Sequence, residues 1–133
     1  MYTVVLGIDE SDRRARELAT TIAGLPGASR EVRAILVHIF TENPEGASVA
    51  QLGSVREARE ILEDAGVEVE LDESSGDPAD IILDIADEVD ADVVGLGGRK
   101  RSPAGKALFG SVTQSVILNT DRPVLVSGTA EKE

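Results

Sequence analysis

Residues 95–111, GLGGRKRSPAGKALFGS, hold four of the chain's thirteen Lys and Arg residues, Arg99, Lys100, Arg101 and Lys106, set among glycines. Cations on glycine-rich backbone suit the holding of phosphate. The side chains supply charge, and backbone without Cβ brings N–H groups close to an anion. Two familiar phosphate motifs do not fit. A P-loop reads G-x-x-x-x-G-K-[ST], whereas six residues separate Gly98 from Gly105 here and Ala107 follows Lys106. A dinucleotide fingerprint reads G-x-G-x-x-G at the opening of a helix; Gly95 and Gly97 begin it, but Lys100 takes the third place. What remains is Gly110-Ser111, directly ahead of the helical pattern VTQSVIL. Free backbone N–H groups at that helix start, with the Ser111 hydroxyl, face back toward the basic stretch. Two readings stand. Either a phosphate lies between a strand exit and this helix start, or Ser111 only caps the helix and Arg-Lys-Arg is a solvated turn.

Other chemistries find little support. His38 is the sole histidine, inside the apolar run AILVHIF, and reads as a buried strand residue. Without cysteine there is no disulfide, thiol nucleophile or thiolate metal site. No Ser–His–acid arrangement is readable, so no catalytic residue and no metal ligand is assigned. Asp84, Asp87 and Glu88 fall on the outer face of a helical pattern and read as solvated.

The elements that must position the basic stretch alternate along the chain. YTVVLGID is a short β-branched run, and helical spacing follows at Ala15, Leu18, Ala19, Ile22 and Ala23, stopped by GLPG. EVRAILVHIF reads as a second strand, and Val49 to Ala65 as a helix. VEVELDE alternates apolar and acidic residues, the mark of an edge strand with one wet face. Asp77-Pro78 caps and opens a further helix through Val89; ADVVGL is a buried strand, residues from Gly110 a last helix, and RPVLVSG a last strand. This order predicts one α/β domain over residues 1–133, an open five-stranded parallel sheet with helices on both faces. Ligands of such sheets lie beyond the carboxyl ends of the strands, where the strand order switches. The basic stretch leaves the fourth strand at that end, and GIDES leaves the first.

Composition narrows the partners. At 41% hydrophobic residues the chain can form a packed core, and no apolar run approaches a membrane span. The start MYTVVLGIDES has no basic region and does not read as a secretion signal, so a cytoplasmic location is expected. A net charge of −12 and three aromatic residues oppose nucleic-acid binding. Arginine outnumbers lysine ten to three and the acidic excess is spread along the chain, as expected of a protein from a halophilic host.

The order of these pieces resembles the universal stress protein family over nearly the whole length. The resemblance rests on VVLGIDES with Asp9, AILVHIF with His38-Ile39, the Gly76-Asp77-Pro78 turn, and GSVTQSVILNTDRPVLV. It implies a Rossmann-type fold like that of the adenine nucleotide alpha hydrolases. ATP-binding members carry a glycine pair two residues apart and, nine residues on, Gly-Ser or Gly-Thr; here Gly97, Lys100 and Gly110-Ser111 keep that spacing, with lysine at the second glycine. The alternative pair, Gly95 and Gly98, keeps both glycines but lengthens the gap to eleven residues. The resemblance implies that Asp9 and Ile39 flank an adenine, Leu96 and Gly97 line the ribose side, and Lys100, Gly110, Ser111 and Val112 meet phosphates, with Ile8 also among the nucleotide-binding residues. It implies ATP or a related adenine nucleotide as ligand, magnesium only with that nucleotide, and at most slow hydrolysis. A homodimer paired through Val124, Leu125 and Val126 and a regulatory protein partner of unknown identity also follow. Two other functions are weighed: a nucleotide-free interaction module of the same fold, with Lys100 marking a lost site, and a receiver-type signalling domain. Asp9-Glu10 imitates the acidic pair of a receiver, but RPVLVSGT lacks its lysine.

Overall fold

The strand β1 (Tyr2–Gly7) is apolar on both faces because both are covered. Val4, Leu6 and Ile8 pack on one side of the sheet with Leu18, Ile22, Val55 and Leu62, and Val5 packs on the other with Ile82, Leu96 and Val116. This two-sided burial is why the run shows no polar alternation. The computed structural model describes residues 1–9, 11–40, 53–101, 107–108 and 110–128. Within them follow α1 (Asp12–Ala23), the one-turn α2 (Ala28–Glu31), β2 (Val32–Phe40), α3 (Gly53–Asp64), β3 (Glu68–Ser75) and α4 (Pro78–Val89). The chain continues through β4 (Val93–Arg101), β5 (Ala107–Leu108), α5 (Ser111–Asn119) and β6 (Val124–Gly128). The expected helix start at Val49 lies outside the described residues.

The strands β1, β2, β3, β4 and β6 form the expected five-stranded parallel sheet, in the order β3-β2-β1-β4-β6. Helices α1 and α3 cover one face and α4 and α5 the other. From β1 the chain moves outward to β2 and β3, then returns past both to place β4 on the other side of β1. The order therefore switches between β1 and β4, and the crevice of this fold opens above their carboxyl ends. At the opposite end Asp92 ties the same two strands together, its Oδ2 accepting from the Thr3 N–H at 2.8 Å while its own N–H donates to the Thr3 carbonyl at 2.8 Å.

The two edges differ. Along β3 the exposed positions are Glu68, Glu70 and Glu73, whose charge discourages pairing with another strand. Along β6, Val124, Leu125 and Val126 are half-buried and uncharged.

One element departs from expectation. The strand expected to end at Leu96 runs on to Arg101, and its last two residues pair antiparallel with β5, Lys100 with Leu108 and Arg101 with Ala107. Glycine and charged residues are poor strand formers, so GGRKR reads as a loop. Pairing with β5 and β6 supplies the backbone hydrogen bonds that hold it extended. The basic stretch is thus partly a hairpin.

Candidate functional site

The floor of the crevice is built from the exits of β1, β2 and β4. Ile8 is buried; its N–H donates to the Val37 carbonyl at 2.9 Å, and its carbonyl lies 2.7 Å from His38 Nδ1. A carbonyl only accepts, so the His38 proton on this side sits on Nδ1. His38, 5% exposed, joins the ends of β1 and β2 as the buried strand histidine the sequence suggests.

Asp9 follows at the rim and is held at three points. Its Oδ1 accepts from the Ser11 N–H at 2.9 Å, its Oδ2 accepts from Arg14 Nε at 2.8 Å, and its carbonyl accepts from Ser54 Oγ at 2.7 Å. Asp9 does not cap α1. Ser11 does, accepting from the Arg14 N–H at 3.2 Å, because it immediately precedes the first helical residue. Ser54 is 1% exposed and reaches Asp9 from the first turn of α3, so α3 braces the turn between β1 and α1.

Opposite lies β4. Leu96 pairs with Gly7 on one side and Val126 on the other, and its side chain is buried in the core under α4. The partners Leu96–Val126 and Arg99–Gly128 bracket an irregularity, with Gly97 and Gly98 facing the single residue Ser127. Such a bulge re-aims a strand at its end, and glycine accommodates it. A Cβ on Gly97 would stand 3.4 Å from both Arg14 Cβ and the Arg14 carbonyl, and 3.5 Å from Ser127 Oγ. Ser127 is 8% exposed, and its hydroxyl has no hydrogen-bond partner among the described residues.

The helix α5 starts at the rim. Its N-cap is Gly110, extended at φ −68° and ψ 165°, with no side chain to accept from the first N–H groups. Among the described residues nothing stands within 4 Å of where a Gly110 Cβ would be, so none of them blocks the approach to those donors. Ser111 is therefore the first helical residue and not the cap, and it is exposed. Val112 packs into the core beneath, so any contact it makes at the rim runs through its backbone. The same holds for Ile8 and Leu96.

Of the expected residues, then, Ile8, Asp9, Leu96 and Gly97 lie together at the exits of β1 and β4, and Gly110, Ser111 and Val112 open the helix after β4. For Ile39 and Lys100 only the backbone is described. Ile39 pairs with Ser74, and Lys100 stands in extended strand, a conformation open to lysine without the cost of the left-handed region. Three residues at the crevice are not legible in the sequence: Arg14, Ser54 and Ser127. The one available signal is Arg14 falling in the first turn after a strand-end aspartate. Among the described residues no cluster of acidic side chains and histidine could hold a metal ion, and no helix is long and apolar enough to cross a membrane.

Comparison with known proteins follows the same lines. The sequence model described as the universal stress protein family matches residues 1–127. A universal stress protein from Mycolicibacterium smegmatis is 38% identical over 80 residues, which cover 59% of this chain and 62% of that relative's own length. A solved universal stress protein in complex with cAMP superposes with a TM-score of 0.73 at 28% identity, over 97% of this chain and 98% of that one. The Archaeoglobus fulgidus universal stress protein in complex with dAMP superposes with a TM-score of 0.71 at 26% identity, over 96% and 98%.

Proposed function

We propose a function from one premise: the chain belongs to the universal stress protein family. Within that family it is a regulatory domain that binds ATP or a related adenine nucleotide in the crevice above β1 and β4. The observation that carries this reading is the bulge at Gly97–Gly98, flanked by an unpartnered buried hydroxyl and by a helix start without a side-chain cap. Structural relatives that hold cAMP and dAMP support the choice of adenine nucleotide.

The chain's own groups define what it does to such a ligand. Ile8, Asp9 and Ile39 lie at the base end, Leu96 and Gly97 at the ribose, and Lys100 with the N–H groups of Gly110, Ser111 and Val112 at the phosphates. Magnesium enters with the phosphates. Hydrolysis is at most slow, because the one histidine, His38, is buried within β2 at 5% exposure and so is withdrawn from the crevice as a general base. The protein thus acts by binding and by what the bound state presents to a regulatory partner, in the cytoplasm. The uncharged β6 edge, Val124 to Val126, pairs two copies into a homodimer, in contrast to the acidic β3 edge. A sedimentation mass of one chain removes the dimer.

The test of nucleotide binding is direct. Protein purified without added nucleotide is denatured and the released small molecules are separated, and the stripped protein is melted with and without magnesium-ATP. Bound adenine nucleotide, or stabilisation of about 2.7 kcal/mol at a hundredfold excess over Kd, is expected. Neither released nucleotide nor any shift leaves the interaction-module reading, with Lys100 marking a surrendered site.

A further inference from the structure

The proposed site contains a cation that neither the motif nor the basic hairpin supplies. Arg14 projects from the first turn of α1 at the carboxyl end of the sheet, where its Nε donates to Asp9 Oδ2 at 2.8 Å. Its neighbours Arg13 and Arg16 point elsewhere and are spent on Glu17 and Glu57. Among the described residues neither Nη nitrogen of Arg14 has a partner, and its side chain is 29% exposed. Guanidinium offers its donors as a fork, so engagement through Nε alone leaves N–H groups for a second anion.

Three further features converge on this residue. The β4 bulge lies against Arg14: a Cβ on Gly97 would stand 3.4 Å from both Arg14 Cβ and the Arg14 carbonyl, so the glycine leaves room beside this residue. Beside the same spot lies the unpartnered Ser127 hydroxyl. Meanwhile Asp9 has both carboxylate oxygens engaged and its carbonyl fixed by Ser54. An aspartate so held can turn to a base only by surrendering a charge-assisted hydrogen bond.

We infer that Arg14 binds the phosphate-bearing part of the nucleotide, and that Asp9, which borders the base through its backbone, positions Arg14 through its carboxylate. The inference rests on the proposed nucleotide site and deepens it. Arg14 then adds a fixed cation on the α1 side of the crevice, across from the donors of α5. An isolated exposed ion pair contributes little to stability, so the pair is explained better by what it holds in place than by folding.

The test compares ligands with and without phosphate. Magnesium-ATP and adenosine are titrated into nucleotide-stripped wild type, R14Q, R14K and D9N, each checked for an unchanged melting midpoint. R14Q weakens ATP about tenfold or more, the loss expected when a charge-assisted hydrogen bond is removed, and leaves adenosine within about twofold. R14K, charged but without the fork, loses less ATP affinity than R14Q. D9N shows the same split between ATP and adenosine as R14Q, the signature of a positioning role. Equal losses for ATP and adenosine in R14Q, or no loss in either, overturn the assignment and leave the nucleotide site standing. A D9N protein that loses adenosine as strongly as ATP overturns the positioning role. A wild type that binds neither ligand overturns the site and the assignment together.

Discussion

Alanine at Gly95 and alanine at Gly97 separate the two ways of laying the glycine motif on this chain. A Cβ at Gly95 would stand 2.6 Å from Leu6 Cδ2 and 3.4 Å from Leu18 Cδ1, and both leucines are buried. Neither can step aside without disturbing the face packed under α1, so G95A overpacks the core at a cost of about 1–3 kcal/mol. The stiffer unfolded chain of alanine returns about 0.4–1 kcal/mol, which leaves a net loss of about 1–2 kcal/mol. At Gly97 the nearest atoms stand 3.4 to 3.5 Å away, within ordinary contact. The same gain from the unfolded chain applies there, so G97A stays within about 0.5 kcal/mol of wild type. For a chain of this size 1 kcal/mol moves the melting midpoint by about 3–6 °C. Melting followed by circular dichroism should therefore drop by about 5 °C for G95A and by no more than about 2 °C for G97A. Titration with ATP completes the pattern: G97A loses affinity with its fold intact, while the folded fraction of G95A binds as wild type does. A G95A protein that melts with wild type, or a G97A protein that loses as much, refutes the packing argument and the register that places Gly97 at the ligand.

Other outcomes follow from the same geometry. S54A removes a part-buried hydrogen bond to the Asp9 carbonyl, and urea unfolding should show a loss of about 1 kcal/mol. Arg122, itself half-buried, donates to the carbonyl of the buried Ala91 at 3.0 Å and to Asp87, which is 78% exposed. R122A should cost about 1 kcal/mol or more, while D87A should stay within about 0.5 kcal/mol, as exposed pairs do. The net charge of −12 makes the folded state self-repelling, so the melting midpoint should rise between about 0.1 and 2 M KCl as the charges are screened; a flat or falling midpoint contradicts the halophile reading.

The sheet was largely legible because its signals are local. The β-branched run of β1, the helical spacing from Ala15 to Ile22 and the Asp77-Pro78 cap each report the element in which they occur. The acidic alternation of VEVELDE likewise marks an edge strand, and β3 lies at one. Where the sequence misleads, pairing between distant segments decides. GGRKR is extended because β5 and β6 flank it, and no residue within it says so. Ser11 is the cap of α1 only because the helix begins at Asp12, a matter of one or two residues. Ser54 meets Asp9 across 45 residues, and Ser127 meets Gly97 only through the bulge. Such contacts belong to the folded topology, so the second layer of the site is invisible until the fold is drawn.

The most direct measurement is isothermal titration of magnesium-ATP into nucleotide-stripped protein in concentrated KCl, with wild type and K100A side by side. A nucleotide site above β1 and β4 predicts saturable binding at one site per chain, weakened in K100A because the lysine at the second motif position meets phosphate. Wild type that releases no heat, and melts at the same temperature with and without ATP, contradicts it.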